Sequence, residues 1–82
     1  MNTSTPERYD AAIFLCVGKN TFSVKDNNSG SYAAFADIEE VPGYVTSLRA
    51  KSVTISMDIG TMNVQYVIKR FAELGIKSQR VD

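Results

Sequence analysis

The sequence predicts a small α+β fold: an antiparallel or mixed sheet of three to five strands, with one long C-terminal helix and one short helix packed on it. Three observations carry that expectation. Val53, Ile55 and Met57 alternate with Thr54, Ser56 and Asp58, the period-two pattern of a half-buried strand. The period then changes. On a helical wheel of about 100° steps with Val64 at zero, Val67, Ile68, Phe71, Ala72 and Leu74 fall in one connected arc that must face a core. Residues 11–17 (AAIFLCV) are apolar and β-prone on both faces, as expected of a central strand covered on two sides.

In chain order, residues 1–10 are polar, contain Pro6 and lack a period, so they are expected to fray. After the first strand, Gly18-Lys19-Asn20 is a turn signal. Phe22 and Val24 then alternate with Thr21, Ser23 and Lys25, which predicts a hairpin. Residues 26–30 (DNNSG) form the strongest loop, expected to be a mobile tip, because each residue either bonds its own backbone or tolerates positive φ. Residues 31–37 suit either a strand with Ala33 and Phe35 inward or an alanine-rich helix, and the strand is preferred. Pro42 biases Val41 away from the helical region and opens a short helix over about residues 42–50, with Tyr44, Val45 and Leu48 on one side and Gly43 weakening it. Thr61 is the expected N-cap of the long helix over residues 61–74. Gly75 is expected to end it left-handed, with Ile76 folded back on Phe71. Residues 77–82 form a polar tail that either adds a short edge strand or frays.

With 82 residues the chain is long enough for one domain, 1–82, and too short for two cores. Nine basic and nine acidic residues give zero net charge, so the electrostatic footprint of a nucleic-acid binder is missing. Lys69, Arg70, Lys77 and Arg80 do gather near the C-terminus, but without an aromatic platform motif beside them. The absence of histidine removes the usual general base and the commonest metal ligand together. One cysteine allows no internal disulfide, and Cys16, between Leu15 and Val17, is expected to be a small core residue rather than a nucleophile. Asp37, Glu39 and Glu40 lack the spaced oxygen ligands of a calcium loop and are expected to be solvated. No run is long enough to cross a membrane. The expectations are therefore no catalytic residue, no cofactor, no metal, no membrane and a cytoplasmic setting.

One string looks chemical. Asp58-Ile59-Gly60-Thr61 puts a carboxylate at a strand end and a glycine and threonine at a helix N-terminus, where backbone amides and the dipole favour an anion. Over these four residues it resembles the phosphate loop of actin-type ATPases and the catalytic loop of aspartic proteases. The first fold needs two large lobes. The second needs a flap and several strands after its loop, where this chain offers one helix. The preferred reading is that Asp58 or Thr61 caps the helix and Gly60 permits the turn.

What remains is recognition. Met62, Tyr66, Lys69, Arg70 and Glu73 fall between about 140° and 240° on the wheel, opposite the core arc. A methionine and a tyrosine flanked by cations have the composition of a protein-binding patch. The expected function is a non-catalytic module, a regulator, inhibitor or subunit. Met62, Tyr66, Lys69 and Arg70 would contact a larger protein or complex, or a second copy of the chain. Such a profile is compatible with a virus- or plasmid-encoded accessory protein. The alternative is a small-anion or phosphate-binding domain using Gly60 and Thr61.

Overall fold

The computed structural model describes residues 8–16 and 18–81. The chain runs β1 (Ala11–Cys16), β2 (Thr21–Asp26), β3 (Tyr32–Phe35), α1 (Val41–Ser47), β4 (Ser52–Ser56), α2 (Thr61–Glu73) and β5 (Lys77–Val81), with 3-10 turns at Ile38–Glu40 and Met57–Ile59. The strands form one sheet in the order β3-β2-β1-β4-β5. The β1–β2 and β2–β3 pairs are antiparallel, and the β1–β4 and β4–β5 pairs parallel. The fold is α+β with a mixed sheet. Hairpins can join antiparallel neighbours, whereas the parallel strands need crossovers, and α2 supplies the one from β4 to β5.

Register places Ile13 beside Val24 and Ile55, and Ala11 beside Val53, all on one face. The helices cover that face with Val41 and Val45 from α1 and Val64, Val67 and Phe71 from α2, and all of these side chains are buried. At roughly 25 cal/mol per Å² of apolar surface removed from water, this layer is where most of the stabilisation arises. The expected C-terminal stop of α2 is present. Gly75 has φ +74°, its amide donates to the Ala72 carbonyl at 3.2 Å, and the Ile76 amide donates to the Phe71 carbonyl at 2.8 Å, a Schellman closure with Ile76 buried beside Phe71.

Several expectations are corrected. β1 is central, but helices cover only one of its faces, so Phe14 and Cys16 are half-buried on the other and Cys16 is not a core residue. Val17 lies outside the described residues. Met57 leaves the strand and opens the turn after it. Val41 has helical angles (φ −67°, ψ −47°) despite the following proline. Its complete burial and the run of the 3-10 turn into α1 outweigh the pre-proline bias. α1 ends at Ser47, short of residue 50. Ala72 and Leu74, the flanks of the predicted core arc, are exposed, because the buried stripe is only as wide as Val64, Val67 and Phe71. Residues 8–10 are held rather than frayed: the Asp10 amide donates to the Ser52 carbonyl at 3.1 Å and Arg8 donates to the Asn27 carbonyl at 2.8 Å. The rest of the expected frayed segment, residues 1–7, lies outside the described residues. Among the described residues, no helix is long and apolar enough to cross a membrane.

Candidate functional site

The turn from β4 into α2 was the one motif with a chemical look, and its geometry is structural. β4 pairs with β1 only as far as Ile13↔Ile55, which leaves the next outward amide of β1, that of Leu15, without a ladder partner. Asp58 supplies it: its Oδ1 accepts from the Leu15 amide at 3.0 Å, while its own amide donates to Ser56 Oγ at 3.4 Å. The carboxylate thus extends a strand pairing that the backbone has abandoned. Neither Asp58 nor Thr61 caps α2. Gly60 (φ +99°, ψ 142°) is the N-cap and Thr61 the first helical residue, because only glycine adopts that extended positive-φ geometry without strain. The Asn63 side chain donates to the Ile59 carbonyl at 2.7 Å, tying the first turn of α2 to the turn before it. An anion at Gly60 and Thr61 would share this turn with the Asp58 carboxylate, whose charge opposes it.

On the outward side of α2, Met62 is 83% exposed and Lys69 is exposed, whereas Tyr66 is half-buried and packs against the rim of the core. Arg70 Nη1 bonds Glu73 Oε1 at 2.7 Å. That bond, with a smaller contribution from Tyr66, holds the guanidinium pKa above its ordinary value. Tyr66, Arg70 and Glu73 therefore form one polar row along the helix, with Met62 a turn away. Asp37, Glu39 and Glu40 are all exposed, and among the described residues no cluster of metal-ligating side chains forms.

The second surface was not foreseen. The face of the sheet away from the helices carries alternate residues of all five strands. Phe14 from β1 and Tyr32 from β3 lean together above β2, with ring centroids 6.1 Å apart at 86°, an edge-to-face pair worth about 0.5–1.5 kcal/mol beyond its area. Ser23 lies beside Phe14 and Ala34 in the register and is only 7% exposed, its small side chain leaving room for the rings. Lys25 Nζ lies 5.6 Å from the Tyr32 ring centre. At the opposite edge, Tyr9 donates its hydroxyl proton to Gln79 Oε1, and Lys77 Nζ sits 5.8 Å from its ring. The missed signal was the hairpin register: pairing β2 with β3 through the 26–30 loop brings Tyr32 beside Lys25 and to the same face as Phe14.

Comparison with protein-family models, with curated proteins and with solved structures gives no match, so the functional reading rests on these surfaces.

Proposed function

We propose that the protein is a non-catalytic binding module, a regulator, inhibitor or subunit that acts in the cytoplasm by docking the outward face of α2 on a larger protein. The observation that carries this reading is Met62, 83% exposed on a helix whose opposite face is anchored by fully buried Val67 and Phe71. A flexible thioether held outside by a rigid helix loses little on docking and adapts its shape to a partner pocket. Tyr66 and Arg70 flank it with the residue types enriched at the centres of protein interfaces, and Lys69 adds rim charge that steers encounter.

The test has two stages. Capture from the native host, using wild type and a Met62→Ala bait in parallel, selects a protein retained only by wild type. Titration of that purified protein should then show Met62→Ala and Tyr66→Ala each weakening binding by about 2 kcal/mol, as interface hot spots do. Met62→Ala should leave the thermal midpoint unchanged, whereas half-buried Tyr66 contributes to folding as well. Equal affinity of wild type and Met62→Ala for every captured protein overturns the assignment of this face.

A further inference from the structure

We propose that the open face of the sheet binds single-stranded nucleic acid, by stacking bases on Phe14, Tyr32 and Tyr9 and placing backbone phosphates on Lys25 and Lys77. The proposal is independent of the α2 reading, because the two surfaces lie on opposite sides of the molecule. Its main support is charge. Zero net charge is a sum over the whole chain, and among the described residues the open face departs from it. Strand alternation gives that face two charged side chains, Lys25 of β2 and Lys77 of β5, both cationic, and no carboxylate from any of the five strands. At its rim, Asp10 is engaged with the Lys51 amide at 2.9 Å. Among the described residues, the exposed acids Asp37, Glu39, Glu40, Asp58 and Glu73 lie off this face, in turns or on α2. A polyanion therefore finds one cationic side on a protein whose remaining charges, seven basic and nine acidic, sum to the opposite sign.

The placement of the rings fits a single strand better than a duplex. Stacking requires access to the π-face of an unpaired base, and five strands about 4.8 Å apart make a face wider than the roughly 12 Å major groove. Tyr32 is 62% exposed, and its contact with Phe14 is edge-to-face, so one ring presents a face where the other presents an edge. Each end of the face pairs a tyrosine with a lysine, Tyr32 with Lys25 on β3 and β2, and Tyr9 with Lys77 by β5. The two stations lie about four interstrand steps apart, roughly 19 Å, with Phe14 between them. A cation beside each ring can shift onto an incoming phosphate while the ring takes the base. Between the stations the surface is made of small or hydroxyl side chains such as Ala12 and Thr54, which leave the rings standing above it.

The experiment is fluorescence anisotropy of labelled twelve-nucleotide oligo-dT and oligo-U, with a duplex of the same length as control, from low to physiological salt. Wild type should bind the single strands and not the duplex, and log affinity against log salt should fall with a slope of about −1.4 for two neutralised phosphates. Tyr32→Ala should reduce affinity about tenfold, the loss of one stacking position. Phe14→Leu, which keeps apolar bulk over Ser23 but removes the ring, guards against a folding artefact and should give a similar loss. Lys25→Gln should flatten the salt slope, and Met62→Ala should change nothing. Absence of single-strand binding at low salt, equal binding of duplex, or indifference to both ring substitutions overturns the proposal. So does a wild-type dimer that Tyr32→Ala dissociates, since a second copy would then be the occupant.

Discussion

On the helix-covered side of the sheet, Ile13, Val24, Val53 and Ile55 are each at most 1% exposed, whereas their chain neighbours on the other side, Phe14, Lys25 and Thr54, keep part of their surface in water. The strands are the same and only the parity differs. On the covered side the side chains are aliphatic and interlock with α1 and α2, so their identity is constrained by packing density. On the open side they are small, hydroxylated, aromatic or, at Lys25 and Lys77, cationic, and packing demands little of them. A large ring there is not accounted for by the core, so the proposed binding role falls to Phe14 and Tyr32 while Phe71 belongs to the interior.

The sharpest way to break this comparison is to truncate one ring on each side. Phe71→Ala should lower the unfolding free energy by about 3–5 kcal/mol, because the ring is fully buried and the helix cannot collapse into the space it leaves. That is a large part of the roughly 5–15 kcal/mol available to a small domain. Phe14→Ala should lose about 1.5–2.5 kcal/mol, the sum of partial burial and the lost contact with Tyr32. Denaturant titration of the two variants measures both. If they destabilise equally, the second face is buried by something and the two sides are not different in kind.

A smaller effect is expected where the chain leaves the helical layer and rejoins the sheet, at Gly75. An added Cβ there meets nothing within 4 Å, so Gly75→Ala tests conformation alone. Holding alanine at φ +74° should cost about 1 kcal/mol. A neutral result in the same titration would mean that the Schellman closure is not what positions β5 beside β4.

These contrasts also explain which parts of the fold were legible in the sequence. β4, α2 and the Gly75 stop are encoded locally, in periods of two and 3.6 and in one residue with a special φ, and all three are present, although Met57 leaves the strand, Gly60 rather than Thr61 is the N-cap and the buried stripe of α2 is narrower than the arc. The run of residues 11–17 misled because a strand buried on two faces and one buried on a single face with a ring and a thiol on the other have the same apolar string. What separates them is where the helices land, a property of crossovers far along the chain. Asp58 was misassigned for a related reason: its partner, the Leu15 amide, is remote in sequence, whereas the helix it was expected to cap is adjacent. The patch on α2 was legible as a wheel angle, but Tyr66 packs against the core rim, which no wheel describes. The ring pair on the open face needed the β2–β3 register before its members could be seen as neighbours.

That register is set by the 26–30 loop, and it yields the smallest of the expected effects. Asp26 Oδ1 accepts from the Asn28 amide at 2.9 Å, Ser29 Oγ donates to Oδ2 at 3.0 Å, and the Gly30 amide donates to the Asp26 carbonyl at 2.7 Å. The amide of Asn28 stabilises the charged carboxylate most, with Ser29 adding to it, so the Asp26 pKa lies below its ordinary value. A carboxylate depressed in the folded state contributes stability that is present above the unfolded pKa, about 4, and lost as pH falls through the lower folded pKa. Asp26→Asn keeps an acceptor for the Asn28 amide and removes the charge together with the second oxygen that accepts from Ser29. The thermal midpoint of wild type should therefore exceed that of the variant by a small margin near neutral pH, since solvent reaches the half-buried residue and screens its charge. The margin should close as the solution is acidified below about pH 4. A margin that stays constant from neutral pH to pH 3, or that grows on acidification, would show that the loop is held by its backbone geometry alone. The alignment of Tyr32 with Lys25 and Phe14 would then owe nothing to the Asp26 charge.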